Sequence, residues 1–312
     1  MSTRNCILCP GQGAQVVGMG KDYFEISAAA RETFQTAARV LGWDLAPVCF
    51  GGSEDRLNQT DVSQPAIYVT SIAAYRAAVE RGLLSPDTDA VYAGLSLGEY
   101  TALHLAGVFA FEDGLRLVAA RGRYMQEAAV ATPSGMVALL GADEATVNEL
   151  CAASAQDEVL VPANFNSPGQ IVVSGAIAAC GRVAQAAEVR GFKSVPLKVA
   201  GAFHSPLMQT AADRIGAELE NVPFAAPRKP VYANVTAAPH DDTASIKALL
   251  VQQIIRPVRW EQSMHALVAD AALRFVELAP GRTLTGMLKK INRRLPVESL
   301  ATADALAPAK PA

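Results

Sequence analysis

One turn between a strand and a helix constrains this sequence more than any other feature. In residues 90–100, Ala-Val-Tyr-Ala-Gly-Leu-Ser-Leu-Gly-Glu-Tyr, an apolar run typical of a buried strand ends at Gly94, and a helix-like sequence follows. Gly-x-Ser-x-Gly in this setting is typical of a nucleophile elbow, a sharp turn that raises the serine oxygen above the sheet. The helix N-terminus directs free N–H groups towards the same point. Ser96 is therefore a candidate nucleophile; the alternative is a tight turn in which it only caps the helix.

Length and composition exclude several classes of protein. The chain has 312 residues, of which 51% are hydrophobic, enough for one large α/β domain or two smaller ones. Its net charge of −3 gives no reason to expect a nucleic-acid or membrane-surface partner. No apolar stretch is long enough to cross a bilayer, and the first residues carry too short an apolar run for a signal peptide. We therefore expect a cytoplasmic protein.

The five cysteines favour the same compartment. Cys6 and Cys9 form a C-x-x-C pattern, which occurs in redox pairs and in zinc sites. No second pair accompanies it, and the apolar residues between the two suggest a strand. We therefore predict buried core thiols, no metal site and a reducing environment.

A glycine-rich loop follows the first predicted strand. Gly11, Gly13 and Gly18 come directly after residues 6–10, so the backbone of this loop approaches something closely. Their spacing does not match G-x-G-x-x-G, and no Lys-Ser/Thr pair follows, which excludes the nucleotide-binding motifs. The loop either supplies a backbone N–H to an oxyanion or is simply a tight turn.

One arginine lies on the wrong face of its predicted helix. The helix begins near residue 112, and Arg121 falls among its apolar positions, away from the polar face. That polar face comprises Glu112, Arg116, Arg123 and Glu127. A buried guanidinium needs a partner, since an unpaired buried charge is very costly. The residues alone leave two options open: an internal ion pair or snorkelling side chain, or a carboxylate supplied by the substrate.

The middle of the chain predicts a small inserted domain. Residues 131–200 read as β-α-β-β-α-β, the order of ferredoxin-like folds, so a large α/β domain is expected in 1–130 and 201–312. Asn164 and Asn166 fall in a predicted loop that either faces the cleft or forms an ordinary turn. The Ala/Pro-rich tail from Ala301 is predicted to be disordered.

His204 is the candidate base for Ser96. It lies on a loop at the predicted junction of the two domains, just before Ser205-Pro206, a favourable helix start. Clefts form at such junctions, and a serine nucleophile requires a base. A lone histidine is more often structural, so this assignment depends on what lies opposite it.

Taken together, these segments resemble the malonyl-CoA:acyl-carrier-protein transacylases, the acyltransferases of bacterial-type fatty-acid synthesis. The matching segments, spread over nearly the whole chain, are Pro-Gly-Gln-Gly-Ala-Gln (10–15), Gly-x-Ser-Leu-Gly-Glu-Tyr (94–100), Arg-Gly-x-x-Met-Gln (121–126), Asn-Phe-Asn-Ser-Pro-Gly-Gln (164–170), Phe-His (203–204), Pro-Val-Arg-Trp (257–260) and Pro-Gly-x-x-Leu-Thr-Gly (280–286). The resemblance implies a large α/β-hydrolase-like domain with a parallel sheet and nucleophile elbow, plus the inserted ferredoxin-like subdomain.

The resemblance also implies roles for individual residues. Ser96 is the expected nucleophile and His204 its base, in a dyad without a required aspartate. The histidine is expected to be held by the backbone carbonyl of Gln253. The remaining implied roles are an oxyanion hole from the backbone N–H groups of Gln12 and Leu97, a malonyl-carboxylate partner in Arg121, and malonyl selection through Phe203. The sequence departs from the family at Leu95, where histidine commonly precedes the serine.

The activity implied by the resemblance is transfer of a malonyl group from malonyl-CoA to the phosphopantetheine thiol of acyl-carrier protein, through a malonyl-serine ester and with no cofactor. The alternatives are a free-standing acyltransferase that loads a polyketide synthase carrier, a serine hydrolase or thioesterase, and a non-catalytic carrier-binding module. Arg121 and the insert have no purpose in a simple hydrolase.

Overall fold

Two β-sheets form the frame of the protein. The structure is a computed structural model that describes residues 4–307. Its strands, in chain order, are β1 (Arg4–Cys9), β2 (Ala90–Gly94), β3 (Ser134–Leu140), β4 (Leu160–Ser167), β5 (Gln170–Ala176), β6 (Lys193–Pro196), β7 (Val231–Tyr232), β8 (Leu273–Leu278) and β9 (Val297–Leu300).

Helices cover both sheets. They are α1 (Lys21–Ile26), α2 (Ala28–Leu41), α3 (Ala46–Gly51), α4 (Glu54–Asn58), α5 (Thr60–Glu80), α6 (Leu97–Leu105), α7 (Phe111–Ala131), α8 (Glu144–Ala155), α9 (Ile177–Val189), α10 (Gln209–Glu220), α11 (Thr243–Ile255), α12 (Trp260–Val268) and α13 (Thr283–Ile291), with single 3₁₀ turns at Pro206–Met208 and Ala303–Leu306. Among the helices of residues 4–307, none is both long and apolar enough to cross a membrane.

The larger sheet is parallel throughout, in the order β7-β2-β1-β8-β9. Both faces of β1 and β2 are covered, which explains why these strands read as nearly continuous apolar runs. Because β1 and β2 are parallel neighbours, the glycine-rich loop and the Ser96 turn leave the same edge of the sheet. This sheet confirms the predicted α/β fold class.

The smaller sheet is antiparallel, in the order β4-β5-β3-β6. With α8 and α9 it gives β-α-β-β-α-β, the ferredoxin-like arrangement expected from the sequence. It has an apolar cluster of its own, in which Leu139, Val147 and Val183 are fully buried. The boundaries 131 and 200 of this unit stay a prediction.

Backbone hydrogen bonds join the small sheet to the large unit at one strand. The N–H of Phe165 in β4 donates to the carbonyl of Val258 at 2.9 Å, and the N–H of Val258 donates to the carbonyl of Ala163 at 2.8 Å. Val258 belongs to the Pro-Val-Arg-Trp segment between α11 and α12. This contact fixes β4 beside the carboxyl edge of the parallel sheet.

Close packing of α5 against α7 places Arg121. A Cβ added at Gly122 would lie 2.6 Å from the carbonyl oxygen of Thr60, so only glycine permits this approach. The neighbouring side chain, Arg121, is thereby held against Gln64 on α5. The face of α7 that carries Arg121, which the sequence predicted to be apolar, is therefore buried against α5.

Two expectations are wrong in detail. Asn164 and Asn166 lie in strand β4, not in a loop, because residues 160–167 pair with β5 through two irregularities of register. The tail predicted to be disordered from Ala301 instead forms a 3₁₀ turn, with Ala303 and Leu306 buried, as far as residue 307. The strand β9 that precedes it was not predicted; the rest of the tail, 308–312, lies outside the described residues.

Candidate active site

The turn around Ser96 is a sharp elbow that glycine makes possible. Ser96 has φ 51° and ψ −103°, a conformation that non-glycine residues rarely adopt. A Cβ at Gly94 would lie 1.9 Å from the carbonyl carbon of Gly98, and one at Gly98 would lie 2.0 Å from the carbonyl oxygen of Cys9. Gly94 is therefore required for the turn to close on itself, and Gly98 for the turn to lie this close to β1.

The hydroxyl of Ser96 contacts two of the predicted partners. Its Oγ lies 2.9 Å from Nε2 of His204 and accepts a hydrogen bond of 2.9 Å from Nη2 of Arg121. The backbone N–H of Ser96 donates to Oδ1 of Asn234 at 2.7 Å, which fixes the turn from below. His204 on its loop and Arg121 on α7 thus meet at the same oxygen atom.

His204 is oriented as a base for this hydroxyl. Its Nδ1 lies 2.6 Å from the backbone carbonyl of Gln253, which can only accept, so the ring proton is on Nδ1 and the lone pair of Nε2 faces Ser96. Burial and the nearby Arg121 lower the pKa of His204 to about 4, so the imidazole is neutral near pH 7. Within residues 4–307 no carboxylate forms an ion pair with this histidine.

Arg121 is 1% exposed and no Asp or Glu of residues 4–307 forms an ion pair with it. Besides Ser96, it donates from Nη1 to Oε1 of Gln64 at 2.6 Å and from Nη2 to Oε1 of Gln253 at 3.0 Å. Its Nε has no acceptor in the described part of the chain, and its guanidinium carbon lies 5.5 Å from the centre of the Tyr100 ring. Burial lowers the pKa of the Arg121 guanidinium, but an arginine side chain is not deprotonated in proteins. Arg121 is thus a buried cation that can donate further hydrogen bonds to a bound group.

The two expected oxyanion donors are Gln12 in the glycine-rich loop and Leu97 at the start of α6. The N–H of Leu95 donates to the carbonyl of Cys9 at 3.1 Å, which ties the turn to the glycine-rich loop. A Cβ at Gly11 would lie 2.2 Å from the carbonyl oxygen of Leu95, so glycine is needed for this approach. Gln12 follows at the cavity wall, and Leu97 opens α6, where the first N–H groups of a helix have no internal acceptor. Their role as oxyanion donors stays a prediction.

A cavity of about 320 Å³ opens above Ser96 between the two sheets. The small sheet contributes Met136, Asn164, Asn166 and Val172 to its wall, and Phe203 precedes the histidine at the other side. Asn164 and Asn166 therefore line this cavity, and a role for them in the reaction stays a prediction. A larger, more open groove of about 710 Å³ lies between α10 and α11 and includes none of the predicted site residues.

Leu95 has a plain structural explanation. It is 8% exposed and belongs to an apolar cluster with Val258, Leu284 and Met287 while also lining the cavity. The position before the nucleophile therefore packs against α13 in this chain. A polar residue there would enter an apolar surrounding.

A buried polar network behind the elbow was not anticipated. Glu99, in the first turn of α6, is 1% exposed, and its carboxylate accepts from the N–H of Asn234 at 3.2 Å and from Nε2 of Gln253 at 2.6 Å. It also lies 2.8 Å from Nε2 of His240, whose side chain is fully buried. In the sequence His240 stands in a Pro-His-Asp-Asp segment, whose composition favours a turn. The one signal in the sequence is Glu99 itself, because an acidic residue directly after the elbow needs a hydrogen-bond partner if it is buried.

The described residues 4–307 contain no group of three or more His, Cys, Asp or Glu side chains that could hold a metal ion. The family described as an acyl transferase domain matches residues 7–310. The chain belongs to the acyl transferase family.

Relatives of this acyl transferase chain cover it almost completely. It is 39% identical over 308 residues to malonyl CoA-acyl carrier protein transacylase of Salmonella typhimurium, with 98% of this chain and 99% of that protein covered. The crystal structure of malonyl-CoA:acyl carrier protein transacylase from Xanthomonas oryzae pv. oryzae superposes with a TM-score of 0.92 at 40% identity, covering 98% and 97% of the two chains. A malonyl-transacylase in complex with its type II PKS acyl-carrier protein gives 0.91 at 36% identity, covering 97% and 98%.

Proposed function

We propose that this chain transfers a malonyl group from malonyl-CoA to the phosphopantetheine thiol of an acyl carrier protein, through an ester on Ser96, in fatty-acid synthesis. The single observation that carries the proposal is Arg121, a buried cation without a carboxylate partner in residues 4–307, whose Nη2 lies 2.9 Å from Oγ of Ser96. In a malonyl group a single methylene separates the free carboxylate from the thioester carbonyl. A guanidinium beside the nucleophile can bind that carboxylate while the carbonyl carbon faces the serine.

Donor capacity at Arg121 supports this assignment. A guanidinium has five N–H donors, whereas within residues 4–307 the side chain hydrogen-bonds only to acceptors on Gln64, Gln253 and Ser96. A bound carboxylate supplies the acceptors and the charge that are missing. Unsubstituted acyl groups such as acetyl leave this cation unpaired, which disfavours them.

In the acylation half-reaction, Nε2 of His204 takes the proton of Ser96 as Oγ forms a bond to the thioester carbonyl carbon. The N–H groups of Gln12 and Leu97 stabilise the oxyanion that develops, an effect worth about 3–4 kcal/mol per donor in comparable sites. Collapse of this intermediate breaks the C–S bond, and His204 returns its proton to the departing thiolate. CoA leaves and the malonyl ester remains on Ser96.

The second half-reaction runs through the same groups in reverse. Nε2 of His204 takes the proton of the phosphopantetheine thiol, and the sulfur attacks the ester carbonyl. Expulsion of Oγ of Ser96, which recovers its proton from His204, gives the malonyl thioester of the carrier and the free enzyme. Orientation of the ring by the Gln253 carbonyl serves both halves, because the proton on Nδ1 never has to move.

The proposed reaction needs no metal or organic cofactor, because CoA and phosphopantetheine themselves carry the acyl group. We place it in the cytoplasm. Five unpaired, buried cysteines support a reducing compartment. Malonyl-CoA and the acyl carrier protein are the expected partners.

Intact-mass analysis after mixing with malonyl-CoA tests the proposal. We expect a malonyl adduct that is absent in Ser96→Ala and that moves to holo-acyl carrier protein when the carrier is added. An adduct that is only released to water would identify a hydrolase, and no adduct at all would leave a non-catalytic binding module.

A carrier from a polyketide synthase is the second candidate acceptor, since one similar structure is a complex with such a carrier. Parallel transfer assays with fatty-acid and polyketide carriers decide between them. Faster transfer to the polyketide carrier would replace fatty-acid synthesis in the proposal.

A further inference from the structure

Asn234, His240 and Gln253 surround the buried carboxylate of Glu99, and the proposed reaction uses only the main-chain carbonyl of Gln253 among them. Asn234 follows the short strand β7, and the chain then turns back so that the N–H of His240 donates to the carbonyl of Val231 at 2.8 Å. Ala237, within this turn, has φ 55°, a value unusual outside glycine. The turn thereby places a fully buried imidazole beneath the elbow, 2.8 Å from Oε1 of Glu99.

Glu99 in turn holds the side chain of Gln253. Oε2 of Glu99 accepts from Nε2 of Gln253 at 2.6 Å, and the same amide nitrogen donates to the backbone carbonyl of Ser96 at 2.9 Å. With these two bonds, both hydrogens of the amide are used, so its oxygen necessarily points towards Arg121. The main-chain carbonyl of the same residue accepts from His204. Gln253 thus contacts the nucleophile, the base and the arginine at once.

We propose that His240 is a positioning residue for acyl transfer: its imidazole holds Glu99, which holds Gln253, whose carbonyl in turn orients His204. The inference rests on the proposed function, because it concerns the rate at which Ser96 is acylated. A carboxylate at the start of a helix, nearly without solvent, needs every one of its donors. Without the donor from His240, Glu99 shifts towards its remaining partners, and Gln253 shifts with it.

The consequence differs between the base and the arginine. His204 has one partner at Nδ1, the carbonyl of Gln253, whereas Arg121 keeps its bond to Gln64 on α5 if Gln253 moves. Loss of His240 is therefore expected to disturb proton transfer more than binding of the acyl group. Acylation at saturating malonyl-CoA slows, and the concentration for half-maximal rate changes little.

Amide variants separate positioning from packing. In His240→Gln the amide nitrogen occupies the position of Nε2 and can still donate to Glu99; in His240→Asn the side chain is one carbon shorter and cannot. His240→Leu keeps an apolar volume without any donor. His265→Leu serves as the control, since His265 lies on α12 with 55% of its side chain exposed.

The measurement is rapid-quench intact mass of the acyl-enzyme formed from malonyl-CoA, with each rate referred to the active sites that become labelled. We expect His240→Leu and His240→Asn to acylate about tenfold to a hundredfold more slowly, the cost of a misplaced catalytic group. His240→Gln and His265→Leu should stay within about threefold of the unaltered protein. If His240→Leu does not fold, the comparison of Gln with Asn decides by itself.

Two results overturn the proposal. One is equal rates per labelled site for Gln and Asn; the other is a lower melting temperature in the variants with an unchanged rate, which assigns His240 a purely structural role. In both cases the unaltered protein still becomes acylated, so the proposed function stands. Failure of the unaltered protein to form the adduct contradicts the proposed function instead.

Discussion

Removal of the guanidinium should change which acyl donor the enzyme uses. In Arg121→Ala a malonyl carboxylate enters a cavity from which its cation has gone, and breaking one side of a buried ion pair costs about 3–5 kcal/mol. At 1.36 kcal/mol per factor of ten, kcat/KM for malonyl-CoA is expected to fall by about 10²–10⁴. An acetyl group carries no carboxylate, so acetyl-CoA should lose nothing or gain.

The assay is acylation of Ser96 by each donor, followed by intact mass. Arg121→Lys keeps the charge but loses the planar fork, so we expect an intermediate loss with malonyl-CoA. Arg116→Ala is the matched control, because this arginine lies on the same helix, its side chain is 61% exposed and it forms a surface ion pair with Asp113. Equal loss of malonyl and acetyl transfer in Arg121→Ala would refute the carboxylate-binding role and assign Arg121 to the serine alone.

Three further predictions concern the same site. Because the pKa of His204 is lowered to about 4, the acylation rate should rise up to about that pH and stay level from pH 6 to 8. Arg121 contributes to the lowered pKa of His204. In Arg121→Ala the rise of the rate at acid pH, measured with acetyl-CoA, should therefore move to higher pH. Gly98→Ala should lower the melting temperature and abolish acylation, since its Cβ would lie 2.0 Å from the carbonyl oxygen of Cys9. Gln64→Leu should raise KM for malonyl-CoA about tenfold through a less fixed Arg121, with little change for acetyl-CoA; an equal rise for both donors would contradict this.

The site residues that could be predicted from the sequence are those whose role depends on their immediate neighbours in the chain. The elbow could be predicted because the glycines on either side of Ser96 are needed by backbone sterics alone, and the structure shows what they avoid. Arg121 could be singled out because helical periodicity put a cation on an apolar face. His204 required more, since only its place between two predicted domains distinguished it from the other histidines.

The buried network escaped prediction for a physical reason. His240 follows a proline and precedes two aspartates, a composition typical of an exposed turn, and nothing local signals that its imidazole is buried. Its burial depends on β7 pairing with β2 and on the chain folding back along β7. Strand β9 and the ordered turn at Ala303–Leu306 are similar cases, since their stability comes from contacts such as the hydroxyl of Tyr23 with the carbonyls of Leu300 and Thr302.

The cavity above Ser96 is lined partly by the groups that contact the nucleophile and partly by the antiparallel sheet. The residues that set the rate of acylation therefore differ from those that set which acyl group fits. In the described residues 4–307, the side chains that hydrogen-bond to Oγ of Ser96 are those of Arg121 on α7 and His204 on its loop, whereas Met136, Asn166 and Val172 belong to the antiparallel sheet. We expect substitutions at these three positions to change the room available for a substituent on the malonyl carbon more than they change the Ser96–His204 hydrogen bond. Acceptance of bulkier extender units can therefore be evolved, or engineered, on one sheet without rebuilding the catalytic machinery on the other.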